Sequence, residues 1–446
     1  MGGRNACGVT VRSPSRGDSE PPESDPPTLS PTERDNLRTL VAFHVSLRCG
    51  WIFKVETVIM PAVLDALSGA GWVRGCLPIL NKLGQSVAPL AFSGAITRAS
   101  RKGRALTATT GAMAAIFGTL AFAWPYRGQL PPAAAVVGFL GLYTIFFAAT
   151  GTNVVAFNTV QGKLIPARRR GRLLWLSGAI GSVAAIALAF TLMPRWLAEP
   201  NGDGFGRFFI AAAVGFSLAC VLTWRLREEP SPAAQATPAI SGAQEAIRDP
   251  AIRTAASVGA LAISGQLLFP HYQWIGQNLL GFGRASLLVW LLTQTAAVAV
   301  YAPISGAVCD RVGTRRAVQL MTGLSLAPPL MTVGFVLEWL PAAAFPLLFA
   351  TLGLAPVLQK TILNHVLELA PSARHPVTLA AMQIVLVAPF VFAPAAGLLV
   401  PADASPAAAS RGVLALATLC ATSIACGLLA SSRLIEPRDR KPNEQL

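Results

Sequence analysis

Apolar stretches about as long as a membrane-crossing helix recur along almost the whole chain, and this recurrence restricts the possible folds more than any other feature. They fall at 40–64, 73–95, 105–124, 132–157, 173–193, 208–224, 254–275, 285–305, 317–337, 342–365, 377–400 and 412–431. The longest polar interruption, "RLREEPSPAAQATPAISGAQEAIRDPAIR" at 225–253, separates the first six from the last six. The expected fold is therefore an all-α membrane protein of twelve transmembrane helices arranged as two six-helix bundles. The expected divisions are a disordered cytoplasmic tail at 1–38, a first half at 39–224, a cytoplasmic central loop at 225–253, a second half at 254–432 and a C-terminal tail at 433–446.

Composition agrees. Only 13% of the 446 residues are charged and 53% are hydrophobic, against about 25% charged in a typical soluble domain. One soluble core cannot hide that much apolar surface. The net charge of +15 would suggest nucleic acid in a soluble protein. Here most Lys and Arg fall in the termini and in alternate loops. Arg74, Arg127, Arg195, Arg207, Arg284 and Arg411 alone fall on the other side. Cytoplasmic segments of membrane proteins carry such an excess. Both termini are thus expected in the cytoplasm, with a bilayer and no nucleic acid as partner, in a cell membrane such as the bacterial inner membrane. Trp72, Trp124, Trp175, Trp196, Trp224, Trp274 and Trp339 stand near the ends of the apolar stretches, as an interfacial aromatic belt would.

The Pro-, Ser- and acid-rich tail has no apolar central region and reads as no cleavable signal peptide. The seven cysteines are scattered, and His44, His271, His365 and His375 show no ligand spacing. No metal, cofactor or disulfide framework is expected, and a non-enzyme is the expectation. An integral membrane enzyme is a remote alternative, because intramembrane carboxylates are nearly absent.

Charges inside the apolar stretches are the functional candidates. The first contains "RCGWIFKVETVIMP" at 48–61, with Arg48, Lys54 and Glu56; the second contains Lys82. A charge at mid-bilayer costs about 2.5–3.5 kcal/mol on insertion scales, so such groups face the bundle interior or a watery cavity. In a continuous helix Lys54 and Glu56 point about 200° apart and do not pair. Glu56 and Lys82 lie at matching depths, about 12–13 Å from the outer helix ends. The expected arrangement is a Glu56–Lys82 ion pair, with Lys54 facing the cavity and Arg48 near the cytoplasmic side. Asn81 and Gln85 share one face of the second helix.

The stretch "GAVCDRVGTRR" at 306–316 resembles the loop signature of the major facilitator superfamily, through Gly306, Asp310, Arg311, Gly313, Arg315 and Arg316. Its first-half counterpart, "GAITRASRKGR" at 94–104, aligns Gly94 with Gly306 about half a chain away but has Arg98 where Asp310 stands. Such spacing fits two halves related by a parallel repeat. "IPARRRGRLLWLSGAIGS" at 165–182 is similar to the family's fifth helix, without the Gly-Pro that follows in its drug antiporters. The resemblance implies a cavity lined by helices 1, 4, 7 and 10, alternating access, and a conformational-switch loop in which Asp310 caps a neighbouring helix dipole. In those helices Tyr143 and Gln266 join the candidates near mid-depth. His44, Asn153, His271, Tyr272, Gln359, Lys360, Asn364 and His365 are further polar groups. Of these, Asn153, Lys360, Asn364 and His365 lie toward the cytoplasmic end, where a structural role is the simpler expectation.

The expected function is secondary active transport of a small solute by a monomer. The coupling ion is a proton if Glu56 titrates. Arg48, Lys54 and Lys82 against Glu56 would leave the cavity net positive, which leans toward an organic anion. The alternative class is a transport-fold sensor or scaffold, suggested by the altered first-half loop.

Overall fold

The computed structural model describes residues 30–230, 239–371, 374–401 and 405–439. The expected disorder of 1–29, the middle of the central loop and residues 440–446 lie outside the described residues. Among the described residues every secondary-structure element is a helix.

α1 (Pro31–Trp51) begins inside the stretch expected to be tail. Ser30 and Glu33 form a reciprocal capping box, at 3.2 and 2.9 Å, and Pro31 opens the first turn. These groups satisfy orphan amides locally and start the helix before the apolar run begins. A single 3-10 turn, Ile52–Lys54, ends it, and Val55 is extended (φ −57°, ψ 125°). The chain resumes as α2 (Ile59–Leu67). The break has a local cause. Pro61 cannot donate to the Thr57 carbonyl, and its ring collides with that carbonyl in an unbroken helix. The β-branched run Val55, Thr57, Val58, Ile59 also favours helix less.

The first half continues as α3 (Gly71–Arg98), α4 (Lys102–Ala123), α5 (Pro132–Leu164), α6 (Ala167–Leu197) and α7 (Phe205–Thr223). Within the stretch expected as central loop lies α8 (Ala239–Arg248). α9 (Pro250–Ile263) then gives way to a 3-10 stretch, Ser264–Leu268. α10 (Phe269–Trp274) follows and loosens into a π turn, Ile275–Leu279. Pro270 follows the 3-10 stretch Ser264–Leu268 as Pro61 follows the break in the first helix, about 210 residues earlier. The remaining helices are α11 (Ser286–Val312), α12 (Thr314–Leu324), α13 (Ala327–Val336), α14 (Phe345–Leu352), α15 (Leu354–Leu369), α16 (His375–Val385), α17 (Ala393–Gly397) and α18 (Pro406–Ala430).

Among the described residues, 10 helical segments are long and apolar enough to cross a membrane. The two remaining expected spans, 40–64 and 73–95, are outside that set. The first is broken at Val55, and both carry the intramembrane charges. The protein is a multi-pass membrane protein.

α1 packs on α6 and α7, α3 on α5, and α4 on α5 and α7. In the second half α18 packs on α9 and α13, α11 on α14, and α12 on α15. In lipid, helix association rests on packing rather than on escape from water. The joint of α4, α5 and α7 shows this: Phe117 stands edge-on to Phe146, Phe209 and Phe216, with centroids 4.9, 6.0 and 5.5 Å apart. Such pairs contribute about 0.5–1.5 kcal/mol each beyond burial. The aromatic belt is partial. Trp72, Trp175, Trp224 and Trp339 are exposed near helix ends, but Trp124 and Trp274 are buried.

Candidate functional site

The irregular segments at Val55 and at Ser264–Leu268 both border a central cavity of about 340 Å³. Its walls come from the first break, α3, the stretch leading into α10, α11 and α15. Five amide side chains line it: Asn81, Gln85, Gln266, Gln294 and Gln359. Glu56 is its carboxylate and Lys82 its ammonium group.

The break sets the electrostatics. Because Val55 is extended, Lys54 and Glu56 turn back on one another and form an ion pair. The expectation that they point apart required a continuous helix and is corrected. Lys54 is fully buried and does not face the cavity. Its Nζ lies 3.5 Å from the Trp51 ring centroid, 4.7 Å from Phe146 and 5.1 Å from Phe147, a desolvated cation–π setting. Glu56 is the member of the pair that reaches the cavity. Its other oxygen accepts from Asn81 at 2.6 Å, and Asn81 in turn accepts from Gln85 at 2.5 Å. The Tyr143 hydroxyl is 3.5 Å from Glu56 Oε1, behind the wall.

The expected Glu56–Lys82 ion pair is not formed. Lys82 Nζ donates instead to Gln359 Oε1 at 2.8 Å, from α3 across to α15. Thr57 makes a second crossing bond, to Gln294 Oε1 at 2.5 Å. Gln294 and Thr57 were missed by sequence reasoning. The available signal was a lone amide in the apolar run "LLVWLLTQTAAVAV". Arg48 lies away from the cavity, bonded to Ser182 on α6 at 2.6 Å. The cavity therefore has one ammonium, Lys82, and one carboxylate, Glu56, which do not form an ion pair with each other, in place of the larger positive excess expected.

The other polar candidates disperse. Asn153 ties α5 to α4 through Thr109 and Thr110, at 2.9 and 2.8 Å. His365 accepts or donates to Thr314 at 3.0 Å. Lys360 and Asn364 are exposed. His271 and Tyr272 are buried beyond the cavity.

At the end opposite the termini the two halves are in close contact. Arg74 is fully buried; it pairs with Asp65 and donates to Gly69 O at 2.8 Å and Val400 O at 3.1 Å. Gly75 lies so close to α17 that a Cβ there would meet Ala393 O at 2.3 Å. On the other flank Arg284 reaches Glu199 O at 3.3 Å.

At the termini's end the switch-loop residues are arranged differently from the expectation. Gly306, Asp310 and Arg311 belong to α11, and the Asp310 carboxylate is exposed. The main-chain carbonyl of Asp310 accepts from Arg438 at 3.1 Å, and its carboxylate has no partner among the described residues. Gly313 makes the turn at φ 110°, a left-handed geometry suited to glycine. Arg315 and Arg316 open α12. The carboxylate at this helix start is Glu436, which accepts from Arg315 N at 3.1 Å. Arg315 also donates to Ser432 O at 2.8 Å. The capping role expected of Asp310 thus falls to the tail after α18. The first half does the same: Glu228, after α7, accepts from the amides of Lys102 and Gly103, both at 2.7 Å, where α4 begins. "RLREEP" and "RLIEP", at 225–230 and 433–437, are the repeated signal.

No family model matches the chain. Uncharacterized protein Rv2209 of Mycobacterium tuberculosis and its Mycobacterium bovis counterpart Mb2232 are 31% identical over 155 residues. That match spans 32% of this chain and 27% of the relatives' length. Solved structures match far more of it. A D-xylose-proton symporter superimposes with TM-score 0.69 at 15% identity, covering 91% of this chain and 99% of its own. A point mutant of the nucleoside transporter NupG gives 0.67 at 11%, covering 90% and 100%. A POT family transporter in complex with 5-aminolevulinic acid gives 0.67 at 14%, covering 91% and 100%.

Proposed function

The chain has the fold of the major facilitator superfamily, and on that premise we propose that it is a secondary transporter, not an enzyme, carrying a small organic anion by alternating access. α1 with α2, and α3, serve as the two further spans, giving twelve in two six-helix halves joined through 225–253. The Lys and Arg distribution supports cytoplasmic termini in a cell membrane. The closed end at Arg74 then faces outside, and the cavity is read from the cytoplasm.

One observation carries the choice of solute. Lys82 is 6% exposed, lines the cavity, and is held by a neutral amide rather than an acid. The one carboxylate of the cavity, Glu56, is already paired with Lys54, so the buried Lys82 ammonium is poorly compensated, and an anionic solute adds the missing charge. Glu56, the cavity's carboxylate, is the place for a coupling proton. Its protonation removes the charge that holds Lys54 and Asn81.

Uptake into proteoliposomes tests this, with organic acids, sugars, nucleosides and peptides as solutes and an imposed proton gradient. Accumulation of an acid is expected. Accumulation confined to neutral solutes would remove the anion assignment. A protein that binds solutes in thermal-shift assays but moves none would be a sensor instead.

A further inference from the structure

We propose that the cytoplasmic ends of α1 and α6 form a binding site for an anionic phospholipid, separate from the central cavity. The groove between them has a volume of about 730 Å³. Four arginines line it: Arg34 and Arg38 from α1, Arg169 and Arg172 from α6. None of the four guanidinium groups makes an ion pair among the described residues; the acids nearby are engaged elsewhere. Glu33 caps its own helix and Asp35 pairs with Arg227 at 3.6 Å. Beyond the arginines the lining turns apolar, with Leu37, Val41, Val45, Leu176 and Ile180, and ends at Ser46.

The groove is amphipathic along its length, and its length fits an acyl chain. From Arg34 to Ser46 the helical rise is about 18 Å, with cationic groups at one end only. A soluble anion would use the arginines and leave the apolar floor empty. A phospholipid uses both. The groove also runs into surface suited to lipid. On α6, Leu174, Trp175, Val183 and Phe190 are all more than half exposed, and Ile180 belongs to both groove and surface. Basic pockets between membrane helices on the cytoplasmic side recognise anionic headgroups by this chemistry.

The test uses the full chain purified in detergent and stripped of lipid. Phosphatidylglycerol, phosphatidylcholine, glycerol phosphate and inorganic phosphate are added separately, with binding read by native mass spectrometry and by thermal shift. Phosphatidylglycerol is expected to bind and stabilise, and the other three to do neither. In the Arg38→Gln/Arg172→Gln protein its apparent affinity should fall about thirtyfold, at roughly fivefold per basic side chain. The Arg38→Lys/Arg172→Lys protein should recover most of it. A Val45→Trp substitution, filling the apolar floor, should weaken binding with all four arginines intact. Equal binding of phosphatidylcholine, equal stabilisation by glycerol phosphate or inorganic phosphate, or undiminished affinity in both the Gln and the Trp proteins would each overturn the proposal.

Discussion

Glu228 and Glu436 hold matching positions about 210 residues apart, each bringing a carboxylate from the end of its half onto the first amides of a helix, α4 and α12. Neither helix has a side-chain cap of its own at the preceding residue. Each tail therefore locks the start of a helix that its own half has already passed.

Glu228 has the more complete set of partners, with Lys163 Nζ also donating at 2.8 Å. Burial raises its pKa, but the hydrogen bond from Lys163 and the Gly103 and Lys102 amides outweigh burial and hold it below the ordinary 4.5. A lowered folded pKa contributes stability that is present above the unfolded value and fades as pH falls below about 4.5. Glu228→Gln should flatten that acid limb, and cost about 1 kcal/mol at neutral pH. Thermal unfolding from pH 3 to 7 measures both. An unchanged acid limb would remove the role.

At the second site the contrast lies between two acids. Glu436→Gln should loosen the start of α12 and slow transport, whereas Asp310→Ala should cost less, since its carboxylate has no partner among the described residues. Hydrogen exchange at 314–318 reports the first effect. Faster exchange in the Asp310 protein than in the Glu436 protein would reverse the assignment.

The Lys54–Glu56 pair is buried on one side. Glu56→Gln leaves the Lys54 charge among aromatic rings, with an expected loss of about 3–5 kcal/mol. Lys54→Met together with Glu56→Gln should recover most of that stability, but not proton-driven accumulation. Recovered stability is read by chemical denaturation. A single Glu56→Gln protein as stable as wild type would show the pair to be dispensable.

Lys82 tests the solute. Lys82→Gln should raise the KM for an anionic solute about tenfold or more, the size of a lost charged hydrogen bond, and leave thermal stability nearly unchanged. Lys82→Arg should retain part of the affinity. Equal KM values for wild type and the Gln protein would place the anion elsewhere.

Gly75 sets how closely α3 meets α17. Gly75→Val inserts atoms where Ala393 O lies within 2.3 Å of a Cβ, so the closed end should be forced apart. A cysteine placed at the buried Val73 should then react with a membrane-impermeant maleimide, and stay protected when Gly75 is intact. Protection in both proteins would show that the contact tolerates the side chain.

Residue order alone was enough for the helical, multi-pass character and for the positions of ten spans, because about twenty consecutive apolar residues satisfy both the bilayer and their own backbone. It also placed Asn81 and Gln85 together, since helical neighbours four apart meet whatever surrounds them. Tertiary structure decided the rest of the site. The pairing of Lys54 with Glu56 turned on whether Pro61 ends the helix or merely bends it, which a proline in the sequence leaves open. The crossings from Lys82 to Gln359 and from Thr57 to Gln294 depend on the rotation and tilt of whole helices, which no local period encodes. The exchange of Asp310 for Glu436 has the same origin. A carboxylate beside the helix in sequence points away from it, and one from the far end of the half is carried back by the fold.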